Sequence, residues 1–440
     1  MTTLKDELRD VHPSRQRLII ALAALIAVPG IVVRLTDPGL AHPLEAVIFG
    51  LAIVGAAFLL SWAAEAIQLD VSAGLAIALL AFIAVLPEYA VDLVFAWKAG
   101  NAVEQFGEMC KAPGQESESS CSLALANMTG ANRLLIGIGW SMVVFVAWWR
   151  WRQRGVRITE VTLERSHSVE LSFLAVATAY SLTLPLKHTV TLIDAAVLIG
   201  IFVIYTIRVA TAPAEEPHLV GPARYIGTFS RVGRRGAVAV MFLFAAGTIL
   251  LVAERFADAL VLTGEALGIS EFLLVQWLAP LASETPELLV AGLYAWRLNT
   301  NAGLGTLVSS KVNQWTLLVG TLPIVFAIAS GTLHGLPVES RQREEIFLTA
   351  AQSVFAVAVL ASLSISVREA LLLFGLFWAQ FIIGAVVPAS FHGTELIAVG
   401  VMYLVLAAWM VLRQRSVYSP LFRDGFRTPH DELRAERTSP

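Results

Sequence analysis

One pattern is written twice in this chain. It runs Leu86-Pro87-Glu88-Tyr89-Ala90-Val91-Asp92-Leu93-Val94-Phe95-Ala96-Trp97-Lys98, and again Thr285-Pro286-Glu287-Leu288-Leu289-Val290-Ala291-Gly292-Leu293-Tyr294-Ala295-Trp296-Arg297. Pro-Glu, a Val three residues after the Glu, then Ala-Trp and a basic residue recur at identical spacing. Each copy is followed by a second long apolar stretch with Gly, Asn and Ser near its start. After the first comes Leu123-Ala124-Leu125-Ala126-Asn127-Met128-Thr129-Gly130-Ala131-Asn132-Arg133; after the second, Leu304-Gly305-Thr306-Leu307-Val308-Ser309-Ser310-Lys311-Val312-Asn313-Gln314. A proline within an apolar helix removes a backbone donor. The carbonyl it frees finds a partner in hydrocarbon only in protein, water or an ion. A lone proline reads as a kink. Two of them, each followed by Glu, read as interruptions that serve a site.

Both copies lie in stretches apolar enough to cross a bilayer. Of the 440 residues, 57% are hydrophobic and 15% charged, and mean hydropathy is +0.71. Soluble proteins carry about 25% charged residues, so this chain has too few charges to cover a water-soluble surface. The expected fold class is an all-α polytopic membrane protein. About 20 apolar residues cross a bilayer as a helix, and about twelve such helices are expected: 17–35, 43–66, 72–99, 121–149, 168–186, 190–208, 236–254, 270–296, 303–332, 345–364, 369–388 and 394–412. The first resembles a signal peptide in length. It lacks a small-residue cleavage site, and its flank from Met1 to Arg17 suits a retained cytoplasmic start.

Lys and Arg set the orientation. With the N-terminus inside, 22 lie in inside segments, 5 in outside ones, and Arg34, Lys98, Arg133 and Lys311 within spans. The expected placement is therefore the cell membrane, multi-pass, with both termini cytoplasmic. Arg341 and Arg343 are outside exceptions. The polar tails 1–16 and 413–440 are expected to be solvated. Cys110 and Cys121 fall in or beside an outside loop, oxidising enough for a disulfide; the alternative is two unpaired thiols. In this topology the first Pro-Glu copy enters from the inside and the second from the outside. Inverted repeats with interrupted helices are a signature of secondary transporters.

Several charges sit where hydrocarbon should be. A charge at mid-membrane costs about 2.5–3.5 kcal/mol on insertion scales. Glu88 and Asp92 are four residues apart and share a face, as do Glu284 and Glu287, three apart. With Arg133 and Lys311 they make four acids and two bases, a surplus of negative charge that attracts hard cations. Ser283, Asn127, Thr129, Asn132, Ser309, Ser310, Asn313 and Gln314 offer further oxygens. The competing reading for each charge is a structural ion pair between helices.

These residues resemble the two α-repeats of the cation/calcium exchanger superfamily, the sodium/calcium exchanger membrane region. That family carries a G-T-S-x-P-E element and then an L-A-L-G-N-x-x-G-S-N-x-x-N element, twice and inverted. Pro87-Glu88 and Pro286-Glu287 match the first element. Leu123 to Asn127 with Gly130-Ala131-Asn132, and Leu304-Gly305 with Ser310, match the second. The resemblance implies two inverted five-helix repeats, at 43–208 and 236–388. The cytoplasmic N-terminus and an extra helix (1–42) would precede them, a basic loop (209–235) would join them, and an extra helix and tail (389–440) would follow. It implies alternating-access antiport with Glu88 and Glu287 as the central metal ligands. Glu284, Asp92, Ser283, Ser310, Asn132 and Gln314 would complete the cation-binding set. The departures are specific. The Thr-Ser positions are Ala84 and Val85 in the first half and Ser283 and Glu284 in the second. The family's serine is Ala131 in the first half, its asparagine is Lys311 in the second, and later ligand positions are Leu135 and Gln314. Several oxygens expected to hold sodium or calcium are missing. The expectation drawn from this is that Arg133 and Lys311 stand in for bound cations as fixed, charge-compensating groups.

The leading function is a secondary cation antiporter, with calcium/sodium exchange first by family resemblance. A sodium/proton or calcium/proton exchanger follows from the residues. A transport-inactive scaffold or receptor is the reading of another class. Neither H-E-x-x-H nor G-x-S-x-G occurs, so an enzyme is not expected. No cofactor is expected beyond the transported cations, calcium, sodium or proton. The expected partners are the lipid bilayer and small inorganic cations. Net charge −3 with no basic segment set apart speaks against nucleic acid. The lack of a GxxxxGK[ST] loop speaks against a nucleotide.

Overall fold

The computed structural model describes residues 12–70, 86–107, 110–111, 118–212, 219, 221–388 and 391–435. Ala84 and Val85, the first half of the expected span 72–99 and Glu116 lie outside the described residues. In chain order the helices are α1 (Pro13–Thr36), α2 (His42–Ile67), α3 (Leu86–Phe106), α4 (Ser120–Leu134), α5 (Ser141–Gln153), α6 (Ser168–Ser181), α7 (Leu192–Ala210), α8 (Pro222–Gly227), α9 (Arg231–Leu267), α10 (Glu271–Trp296), α11 (Thr300–Asn313), α12 (Val319–Ser330), α13 (Ser340–Leu360), α14 (Val367–Val386), α15 (His392–Arg413), α16 (Arg415–Phe426) and α17 (His430–Ala435). Two π-helical turns, Leu135–Trp140 and Gln314–Leu318, join α4 to α5 and α11 to α12. Four short strands complete the fold: β1 (Glu160–Thr162), β2 (Thr189–Val190), β3 (Leu336–Pro337) and β4 (Ser364–Ser366). The chain is thus mostly helical, with β1 paired to β4 and β2 to β3, both antiparallel.

Among the described residues, nine helical stretches are long and apolar enough to cross a membrane. Three expected spans are not among them. The first is 72–99. The others are 270–296 and 345–364, which are helical as α10 and α13 but carry Glu271, Glu284 and Glu287, and Arg341, Arg343, Glu344 and Glu345, respectively. The seventh is longer than expected: α9 has 37 residues, about 55 Å at 1.5 Å per residue, so it overshoots 236–254 at both ends.

The chain forms two compact units, residues 1–94 with 209–287, and residues 95–208 with 288–440. In the first unit α2 packs against α1 and α9 around Ala23, Ala56, Leu60, Ala63, Ala245 and Ile249. Gly55 makes the α1–α2 crossing possible, because a Cβ there would lie 2.5 Å from the Ala23 carbonyl. Small residues at such crossings let helices in lipid approach closely. In the second unit Gly100 of α3 does the same against α12, where a Cβ would meet Ala329 at 2.5 Å.

Polar ties within each unit join loops that the alternating topology puts on one side. Hydrocarbon is about 30 Å thick, so loops on opposite faces do not touch. In the first unit, Arg234 grips Asp70 with Nε and Nη2 at 2.6 and 2.8 Å, and Arg17 donates to the Tyr225 hydroxyl at 2.6 Å; all four are expected inside. At the other end Arg255 pairs with Asp37 at 3.4 Å. In the second unit, β1–β4 and the Glu164 N–H on Asn301 Oδ1 (2.8 Å) tie loops expected inside. The strand pair β2–β3, the Cys110–Cys121 disulfide and the Arg341–Glu118 pair (2.6 Å) tie loops expected outside. Arg341, an exception in the expected orientation, thus has the Glu118 carboxylate as its counter-charge.

The C-terminal tail corrects one expectation. Residues 413–435 are not a solvated end: α16 lies along α6, with Leu421, Asp424 and Leu433 buried. Arg165 holds Asp424 through Nε at 2.6 Å and Nη2 at 3.1 Å, and the Thr428 hydroxyl donates to the same carboxylate at 2.9 Å. Burial opposes the Asp424 charge, but the hydrogen bonds from Arg165 and Thr428 outweigh it and hold the carboxyl below its ordinary value. A carboxyl lowered on folding stabilises the docked tail fully above its unfolded value, about 3.9, and that contribution is lost as pH falls through the lower folded value. Asp424→Asn is expected to cost about 1.5–3 kcal/mol of docking energy, the range for hydrogen bonds to charged groups. Limited proteolysis should then cut the tail faster at neutral pH, and the wild type should approach the variant only below about pH 4.

Candidate functional site

The first unit holds the acidic half of the expected site. Glu88 and Asp92 are buried one turn apart on α3; Ser283 and Glu284 are buried on α10, and Glu287 is half-buried one turn beyond Glu284. The Glu284 and Glu287 carboxyls come within hydrogen-bonding reach of each other, with Glu88 close enough to act on Glu287 electrostatically. Tyr89 is influenced by both Glu88 and Asp92. The structure therefore brings Glu88, Glu284 and Glu287 together from two segments 196 residues apart in sequence (Glu88 to Glu284). Helix α10 is continuous through Pro286 and also through Pro280, which differs from the expected interruption. On the same helix the Ser283 hydroxyl donates to the Ala279 and Pro280 carbonyls at 3.2 and 3.3 Å, and Thr285 donates to Leu281. Pro87 lies at the edge of the described part of α3.

The second unit holds the other half. Lys311 on α11 is fully buried, at 0% exposure. Its ammonium donates to two oxygens of Asn132 on α4, the main-chain carbonyl at 2.5 Å and side-chain Oδ1 at 2.7 Å. Asn132 Nδ2 donates back along its own helix to the Met128 carbonyl at 2.9 Å, which fixes the amide with Oδ1 toward Lys311. Asn132 and Lys311 occupy the same position in the two motif copies. Three residues beyond each, at Leu135 and at Gln314, the helix widens into a π turn. π turns concentrate at functional sites, and here they recur at equivalent positions of both copies. The interrupted backbone of this chain lies at these turns rather than at Pro286.

The remaining candidates sort as follows. Gln314 and Asn127 are buried, as are Thr129 and Asn313. The Thr129 hydroxyl is spent on the Leu125 and Ala126 carbonyls at 3.0 Å each. Ser309 accepts from Tyr205 at 3.4 Å. Ser310 Oγ is buried with no hydrogen-bond partner among the described residues. Arg133 departs from the expected role of a charge held beside the acids. Its guanidinium binds Glu345 Oε2 of α13 at 2.6 Å and Gln380 Oε1 of α14. Glu345 and Gln380 were not among the candidates; the available signal was that each is a polar residue inside an expected span. Among the described residues, no three of His, Cys, Asp or Glu are grouped so as to hold a metal ion. The acids are gathered but do not form a closed cage.

The model of the sodium/calcium exchanger protein family matches residues 43–210 and 237–386. The chain belongs to that family. The two matched stretches coincide closely with the two expected repeats. The chain is also similar to the crystal structure of the H+/Ca2+ exchanger CAX, with 40% identity over 94% of this chain and 98% of that one and a TM-score of 0.84. It shares its fold with native YfkE, at 13% identity, 89% and 100% coverage and a TM-score of 0.56. No curated protein sequence matches it. The chain is therefore a multi-pass membrane protein of a family of ion-exchange transporters.

The Lys311 geometry generates a test independent of transport. Lys311→Met leaves two buried Asn132 oxygens without the ammonium, a loss of about 1–3 kcal/mol. A monovalent cation can then take its place. Sodium chloride added against choline chloride at constant ionic strength is expected to raise the melting temperature of Lys311→Met but not that of the wild type.

Proposed function

We propose that this exchanger is a calcium/proton antiporter of the cell membrane, with twelve crossings and both termini cytoplasmic. In this reading the expected order of functions is reversed, and proton coupling comes before sodium coupling. The observation that carries it is the buried Lys311 ammonium on Asn132. A second cation about 4 Å from that ammonium is opposed by about 4 kcal/mol at an effective dielectric constant near 20. That is roughly a thousandfold in affinity, so the ammonium disfavours a sodium ion at this position of the repeat. Two further facts support the reading. A hydrogen bond between two carboxyls needs a proton, since carboxylate oxygens have no donor; in this reading Glu284 and Glu287, one turn apart on α10, share one. The similar H+/Ca2+ exchanger CAX is 40% identical.

In the mechanism that follows, Glu88 and Glu287 are the central calcium ligands and Glu284 is the companion carboxyl. Calcium takes 6–8 oxygens, and the family resemblance adds Asp92, Ser283, Ser310, Asn132 and Gln314 to the ligand set. Calcium binding needs the carboxylates ionised, so it expels the shared proton. Proton binding neutralises the carboxyls and releases calcium. Exclusive occupancy of one set of acids by either ion is the coupling. Lys311 supplies a positive charge on the motif helix that never leaves. Access then alternates between the two sides of the membrane.

The test is flux in proteoliposomes. A proton gradient alone should drive calcium uptake, a sodium gradient should not, and Glu287→Gln should reduce uptake to the level of protein-free vesicles. Lys311→Met should change the coupling, introducing sodium dependence or abolishing exchange. Uptake driven by sodium and not by protons would restore calcium/sodium exchange. No flux under either gradient from a folded protein would favour a transport-inactive scaffold or receptor.

A further inference from the structure

The helix α15 lies outside both repeats, yet a chain of polar side chains runs from it to the motif helix α4. Arg133 on α4 is 2% exposed. It gives one N–H to Glu345 on α13 at 2.6 Å and another to the Gln380 oxygen on α14. An oxygen committed to Arg133 turns the Gln380 NH2 the other way, toward Glu395 Oε1 on α15 at 3.5 Å. Four helices contribute one member each. Glu345 and Gln380 are buried, while Glu395 is half-buried in the first turn of α15 at the expected outer face.

The charge count is the decisive feature. One guanidinium faces two carboxylates, a net −1 inside a membrane domain when all are ionised. Burying an uncompensated charge is costly, and a single proton removes it. The influences on Glu395 are also opposed. The positive end of the α15 helix dipole, the Gln380 amide and the Arg133 guanidinium are partners for a carboxylate, whereas Glu345 is a second negative charge on the same guanidinium. The other titratable group that faces it is His392 on its own helix, whose Nε2 is hydrogen-bonded with the Val387 carbonyl at 2.8 Å; Glu344 of α13 lies one step further off. Glu344 lies against Gly393 and is itself influenced by Arg341 and Arg343. Tyr403, buried further along α15, is influenced by Arg133. A group that both takes and gives a proton needs such a balance.

We infer that Glu395 is a proton-accepting group on the outer face, linked through Gln380 to the Arg133–Glu345 pair, and that its protonation sets how exchange depends on outside pH. It is a positioning and proton-handling group rather than a cation ligand. The inference rests on the exchange reading for its transport consequence, but not for the proton site itself.

The test uses the full chain and Glu395→Gln, which keeps the shape of the side chain and removes its titration. In proteoliposomes the variant should lose one ionisation from the outside-pH profile of calcium exchange, with the inside-pH profile and the half-saturating calcium concentration unchanged. Profiles that superimpose on the wild type would overturn the inference. A second readout needs no flux. Infrared titration of the purified protein should show one protonated-carboxyl band in the wild type that is missing from Glu395→Gln. Loss of that band supports the proton site even where vesicles show no exchange, whereas identical band sets reject it even in an active exchanger. Glu345→Gln tests the link. It should move the Glu395 band along the pH axis, and an unmoved band in a folded variant shows the two groups to be uncoupled and overturns it.

Discussion

A buried ammonium must be matched by oxygen, and Lys311 meets that demand at Asn132. Taking a charge out of water costs several kcal/mol unless good hydrogen bonds replace the lost shell. Two oxygens of one residue supply them here, at 2.5 and 2.7 Å. One is a main-chain carbonyl, and it is near the π turn at Leu135–Trp140 that the regular backbone ladder loosens. The equivalent turn at Gln314–Leu318 follows Lys311 itself. The pair therefore joins the same position of the two motif copies, one as the donor and the other as the acceptor. The symmetry of the repeat persists in the backbone, and the chemistry at its centre is asymmetric.

That asymmetry organises the other intramembrane charges. With Lys311 held by Asn132, the positive charge of Arg133 is directed elsewhere, to Glu345 and Gln380. Within the first unit, the acids Glu88, Glu284 and Glu287 of the Pro-Glu elements lie near one another.

The loops are held by polar ties. A disulfide and the Glu118–Arg341 pair bracket the start of α4. Elsewhere Asp70 is held by Arg234, and Asp424 by Arg165 and Thr428. The docked tail shows how polar composition misleads. Residues 413–435 carry enough charge to look solvated, yet α16 buries Leu421 and Asp424 against α6.

Membrane character, the mostly helical fold and membership of the exchanger family, through the repeated Pro-Glu motif, were legible in the sequence. Each depends on composition or on spacing within one helix, where the 3.6-residue period and the length of a bilayer crossing leave little choice. The same local evidence could not say which charge meets which. Lys311 and its partner are 179 residues apart, and Arg133 is 212 from Glu345 and 247 from Gln380. Those pairings depend on how each helix is rotated about its axis, and a shift of one residue turns a side chain by about 100°. The site's residue types could therefore be read from the chain, while the sorting of its charges was decided by the packing of helices that local sequence does not encode.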